Sequence, residues 1–135
     1  MPSLYLDTSA VLRAVMESGT SPEVERRIRS ADALLTSRLA TVEASRAIHR
    51  VRQLGGVAEA RLADAEREIE HLWARCDIWE ITPQVCEAAR HIAPGKLLRA
   101  LDAIHLATFV TARKRIADLE MLTVDERLRA AAALF

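Results

Sequence analysis

A chain of 135 residues, half of them hydrophobic and 28% charged, holds enough apolar material for one core and too little length for two, so residues 1–135 are expected to form a single domain. That balance excludes intrinsic disorder. No apolar run approaches the roughly 20 residues that span a bilayer and no basic-then-apolar leader opens the sequence, so neither membrane insertion nor secretion is expected. Nineteen basic residues against nineteen acidic ones exclude a global field that would draw the chain onto nucleic acid, although a local basic rim stays open. Seventeen of those basic residues are arginine, suited to bidentate phosphate or carboxylate contacts. Cys76 and Cys86 form no C-x-x-C pair and sit among apolar or helical neighbours, so buried free thiols and a reducing, cytoplasmic location are expected.

Ser3-Leu4-Tyr5-Leu6 predicts a first strand, ended by Asp7-Thr8-Ser9, which can cap a helix over Ala10 to Glu17. After the loop of residues 18–21, Pro22 opens a second helix to about Ser30, and Ala33-Leu34-Leu35-Thr36 reads as a second strand. Leu39, Val42, Ala47, Ile48 and Val51 then follow helical spacing up to Gly55-Gly56, with Glu43 in the first turns. A further helix over Val57 to Arg75 completes a helical hairpin around the paired glycines. Asp77 to Ile81 alternates polar and apolar residues, the mark of a half-exposed or edge strand, and Thr82-Pro83 starts a helix through His91 or Ile92. Beyond Pro94-Gly95, a helix over Leu97 to about Lys114 carries Leu98, Leu101, Ile104, His105 and Thr108 on one stripe, with Asp102 beside it. Leu119 to Thr123 is the last strand, closed by Val124-Asp125, and Glu126 to Leu134 the last helix. Strands separated by helices predict a three-layer α/β/α domain with a short, mainly parallel sheet.

In parallel α/β sheets, ligands gather outside the carboxyl ends of the strands. Asp7 and Asp125 fall at strand ends, and Glu43 and Asp102 lie on helices able to pack over the same end. Gathered carboxylates repel one another, so such a cluster implies a hard cation: Mg2+, or Mn2+ in its place. The matching reaction is phosphodiester hydrolysis, in which water activated by the cation attacks phosphorus. Each acid also has a plainer reading. Asp7 and Asp125 are good helix caps, and an acid in a first helical turn, as Glu43 is, suits the helix dipole. Asp102, beside an apolar stripe, points more strongly to function or a buried ion pair.

Around these acids, Ser9 is the preferred supporting hydroxyl, since it follows Asp7 by two. Arg46 and Arg50 follow Glu43 on its helix face and Arg99 precedes Asp102 by three; phosphate contacts and ordinary ion pairs are equally open for them. His105 invites a metal or base role, but its apolar neighbours favour a hydrogen-bonded core histidine. The aromatic residues are too few and scattered for a base-stacking platform.

Leu6-Asp7-Thr8-Ser9-Ala10, Leu39-Ala40-Thr41-Val42-Glu43-Ala44, Arg99-Ala100-Leu101-Asp102-Ala103-Ile104-His105-Leu106-Ala107 and Leu122-Thr123-Val124-Asp125-Glu126-Arg127-Leu128, in this order, resemble the PIN-domain family, and within it the VapC-like ribonuclease toxins of bacterial toxin–antitoxin pairs. The resemblance implies a PIN-like fold and a metal-binding, catalytic set of Asp7, Glu43, Asp102 and Asp125, supported by Ser9 and by Arg99 as a supporting or phosphate-binding residue. It further implies Mg2+- or Mn2+-dependent cleavage of RNA, a homodimer, and inhibition by a cognate antitoxin protein.

Two other enzymes share the Asp-Thr-Ser triplet or a strand-end aspartate. An aspartic protease is mainly β, which 24 alanines and several helical periods exclude; a haloacid-dehalogenase-like phosphatase needs a second aspartate where Ser9 stands. The remaining alternatives are a non-toxin PIN-like nuclease in RNA or DNA processing and a non-catalytic α/β protein-interaction module whose acids are only caps.

Overall fold

Alternating short apolar runs and amphipathic stretches resolve into strands and helices in strict succession. The computed structural model describes residues 2–135. The strands are β1 (Ser3–Leu6), β2 (Ala33–Ser37), β3 (Cys76–Trp79) and β4 (Leu119–Leu122). The helices are α1 (Thr8–Val15), α2 (Pro22–Ser30), α3 (Arg38–Leu54), α4 (Glu59–Arg75), α5 (Pro83–His91), α6 (Ala100–Arg113) and α7 (Glu126–Ala132).

The strands form one parallel sheet in the order β3-β2-β1-β4, with Tyr5 opposite Leu35 on one side and Met121 on the other. Such short strands hold because both faces of the sheet are covered, and side chains alternate between them. Leu4, Leu6, Leu34 and Leu122 face a core built with Val11, Ile28, Ile48, Leu62 and Ile69 of α1–α4. Tyr5, Leu35 and Leu119 face the opposite core with Leu106, Phe109 and Leu128 of α6 and α7, and α5 packs on α6. Each fully buried leucine contributes about 1.5–3 kcal/mol, so the two cores, and not strand length, hold the sheet together.

Chain order sets the place of the site. From β1 the chain steps outward through β2 to β3, then returns across the sheet to β4 on the other side of β1. The direction therefore reverses between β1 and β4, and in open α/β sheets that reversal opens a crevice at the strand carboxyl ends. Asp7 follows β1 there and Asp125 follows β4.

The structure departs from the sequence reading in several places, among them α1, which runs over Thr8–Val15 instead of Ala10 to Glu17, and β3, which runs over Cys76–Trp79 instead of Asp77 to Ile81. Helix α6 begins at Ala100 instead of Leu97, because Arg99 is extended and Leu98 packs separately against the second core. Leu101 and Val42, assigned by periodicity to buried stripes, are 47% and 56% exposed. Helix α4 begins at Glu59 instead of Val57. Cys86 is an exposed free thiol; only Cys76 is partly buried, and burial pushes its thiol up to about 11, which leaves it unreactive at neutral pH. The helical hairpin is as expected, with Gly55 ending α3 at φ 75°, a backbone angle that favours glycine. No described helix is long and apolar enough to cross a membrane.

Candidate active site

Strand β1 stops at Asp7 because its side chain turns back to cap α1, accepting the backbone N–H of Ala10 at 3.0 Å. The Asp7 carboxylate is only 4% exposed and also accepts the Ser9 hydroxyl at 2.8 and 2.9 Å and the Thr123 hydroxyl at 2.7 Å. Thr123 in turn accepts the Asp125 backbone N–H, and Ser9 accepts that of Val124. These bonds stitch the ends of β1 and β4 together across the crevice. Burial pushes the Asp7 carboxyl above its ordinary value, and the bonds from Thr123, Ser9 and Ala10 offset this only in part.

Glu43 reaches the same end from α3. It accepts the Thr8 hydroxyl at 2.6 Å and His105 Nε2 at 2.7 Å, both on Oε1. Burial alone would raise its pKa, but the bonds from His105 and Thr8 outweigh that and hold the carboxyl below the usual range. His105 is buried, and its Nδ1 meets the Tyr5 hydroxyl at 2.8 Å. It is the hydrogen-bonded core histidine the sequence favours, with one of its bonds made to a candidate site acid. Burial, reinforced by Asp7, keeps the Tyr5 phenol protonated far above its ordinary range.

Asp102 lies in the first turn of α6 and Asp125 caps α7, accepting the backbone N–H groups of Arg127 and Leu128. Glu43, Asp102 and Asp125 line one cleft of about 640 Å³ together with Arg99, Glu126 and Arg127. A second groove of about 460 Å³ shares Glu43 and Leu101 with it and continues past Thr8, Arg46 and Arg50. Among the described residues, the side chains of Asp102, Arg46, Arg50, Arg99 and Arg127 make no hydrogen bond or ion pair. Opposite charges thus share a cleft without neutralising one another, an arrangement suited to a ligand that brings both a cation and phosphate.

All four acids predicted from the sequence stand at the carboxyl end of the sheet. Three line the cleft, and buried Asp7 is linked to Asp125 through Thr123. They do not form a closed cage: among the described residues no three His, Cys, Asp or Glu side chains are grouped so as to hold a metal ion as they stand. Asp7 directs both carboxylate oxygens to protein donors, while Glu43 and Asp125 each bond through one oxygen and keep the other unbonded among the described residues. Ser9 sits beside Asp7 as expected, and Arg99 in the cleft. The sequence reading missed Thr123 and the Tyr5 contact to His105; the run Thr123-Val124-Asp125 was visible, but nothing local ties Thr123 to a residue 116 positions earlier.

A family model described as PIN domain matches residues 4–134. Ribonuclease VapC45 of Mycobacterium tuberculosis is 36% identical over 108 residues, 80% of this chain and 75% of that protein. Among solved structures, M. tuberculosis VapC20, described as a sarcin-ricin loop cleaving toxin, superposes with a TM-score of 0.67 at 17% identity, covering 95% of this chain and 94% of that one. A toxin–antitoxin complex from Klebsiella pneumoniae gives a TM-score of 0.63 at 19% identity, covering 90% and 86%. At these identities the two structures speak for the fold alone.

Proposed function

The chain belongs to the PIN-domain family, and from that premise we propose that it is a Mg2+- or Mn2+-dependent endoribonuclease, the toxin of a toxin–antitoxin pair, working at the carboxyl end of its sheet. The observation that carries this reading is the cleft in which Glu43, Asp102 and Asp125 face unpaired Arg99 and Arg127. Its donor chemistry fits a hard divalent cation: carboxylate oxygens only, one of them on an acid with no protein partner, beside a buried Asp7 whose charge is poorly compensated. Asp7, Glu43, Asp102 and Asp125 would hold the cation, which supplies Lewis-acid stabilisation of phosphoryl oxygens and activation of water.

The protein's own groups do the rest. Arg99 and Arg127 bind the phosphodiester by charge-assisted hydrogen bonds and orient it against the acids. Ser9 and Thr123 fix the Asp7 carboxylate so that both oxygens keep one direction. Arg46 and Arg50 extend the positive rim along the neighbouring groove, where flanking phosphates of a single strand would lie. An antitoxin protein and a second copy of the chain are the partners this reading entails, and exposed Val42, Leu97 and Leu101 offer apolar area for them.

The test is purified protein with a mixed RNA pool and, separately, single-stranded DNA, with manganese or with chelator, beside Asp7→Asn. Cleavage of RNA that requires the metal and is lost in Asp7→Asn is the expected result. Cleavage indifferent to chelator, or equal in both proteins, contradicts the mechanism, and preferential cleavage of DNA moves the chain to a non-toxin nuclease.

A further inference from the structure

We propose that His105, held between Tyr5 and Glu43, is a positioning residue that fixes Glu43 so that a single, free carboxylate oxygen is presented to the cleft. This rests on the reading of Glu43 as a cation ligand. The geometry assigns the hydrogens. A carboxylate oxygen has none to give, so at 2.7 Å from Glu43 Oε1 it is His105 Nε2 that donates. Thr8 donates to the same oxygen from 2.6 Å, which occupies Oε1 twice and leaves Oε2 without a bond among the described residues. On the far side of the ring, the fully buried Tyr5 phenol lies 2.8 Å from Nδ1, and when the ring is neutral the phenol donates and Nδ1 accepts. The neutral ring is thereby the Nε2–H tautomer.

Nor can the ring turn freely. Tyr5 meets it edge-on, with centroids 6.0 Å apart at 75°, and rotation would place ring carbons where both hydrogen bonds now are. Tyr5 is on β1, His105 on α6 and Glu43 on α3, so the relay joins the sheet to both helical layers and carries the rigidity of the second core to a side chain at the mouth of the cleft. Metal ligands are commonly oriented by such outer partners, whose loss weakens metal affinity about 10- to 100-fold. A histidine serving only to satisfy buried polar atoms has no such effect.

The experiment measures Mn2+ affinity, by electron paramagnetic resonance of the free ion, for the full chain and for Glu43→Gln, His105→Leu, His105→Gln and Tyr5→Phe, each checked for native circular dichroism. His105→Leu is expected to weaken Mn2+ binding by about ten-fold or more. His105→Gln, whose amide can still donate to Glu43, regains most of it. Tyr5→Phe, which takes the Nδ1 partner away and leaves the bond to Glu43, is expected to weaken Mn2+ binding by less than His105→Leu. A natively folded His105→Leu that binds Mn2+ as the parent does, while Glu43→Gln binds weakly, overturns the relay and leaves the site standing. Glu43→Gln binding Mn2+ as the parent does overturns the site reading and the relay with it. If His105→Leu does not fold, a natively folded Tyr5→Phe that binds Mn2+ as the parent does overturns the relay.

Discussion

Helix α3 carries two kinds of arginine. Near its end, Arg52 is gripped by Glu59 and Glu66 of α4 at 2.8–2.9 Å; within the two preceding turns, Arg46 and Arg50 face the groove beside Glu43 with no partner. The pattern extends over the molecule. Arg13, Arg26, Arg27, Arg38, Arg67 and Arg90 are paired with acids away from the cleft, whereas Arg99 and Arg127 inside it are not. A net charge of zero therefore averages over surface pairs such as these and a cleft whose arginines have no acid partner among the described residues. Among the acids, Arg52 and Arg38 hold Glu59 and Glu80 below their ordinary range and His105 and Thr8 hold Glu43 there, while burial pushes Asp7 above its own.

That contrast can be broken most sharply at the cleft. Replacing Arg99 and Arg127 together by alanine should lower kcat/KM for RNA by about 100-fold and reduce the slope of affinity against salt by about 2, one for each phosphate contact. Stability should be unaffected, because neither side chain has a protein partner to lose. Arg46→Ala and Arg50→Ala, out along the groove, should each weaken RNA binding by about ten-fold or less across all sequences, read by fluorescence anisotropy in the chelated, inactive protein.

Asp7 sharpens the comparison through stability. Its folded pKa is raised, so between its ordinary value of 3.8 and the higher folded value the native state binds more protons than the unfolded one. Its contribution to stability is greatest at acid pH and declines as pH rises through that window. Urea unfolding of the chelated protein should show this decline, and Asp7→Asn should flatten it while leaving stability at pH 7 equal or higher. The smallest effect belongs to the paired surface: Arg52→Ala should leave RNA affinity unchanged and shift the thermal midpoint only slightly.

Much of this was legible before any coordinates. Strand ends, helix periods and the position of Asp7 follow from local sequence, and the alternation at Asp77 to Ile81 correctly marks β3 as an edge strand. What local pattern could not carry is which residues meet. Leu98 and Leu101 share a helical stripe with His105, but the chain enters α6 only after Arg99, so one leucine reaches the core and the other the cleft. Cys86 looked buried among apolar neighbours, yet its side of α5 is exposed. The bonds of Asp7 to Thr123 and of Tyr5 to His105 join residues at least 100 positions apart, and only the parallel pairing of β1 with β4 and the packing of α6 bring them together.

The most direct test of the acid cleft is Asp102→Asn. Asp102 has no side-chain partner among the described residues, so a purely structural role leaves it nothing to lose. With saturating manganese and a cleavable RNA, the account predicts a variant that folds and melts as the parent does but cleaves about 1,000-fold more slowly. A natively folded Asp102→Asn protein cleaving at the parental rate would contradict it.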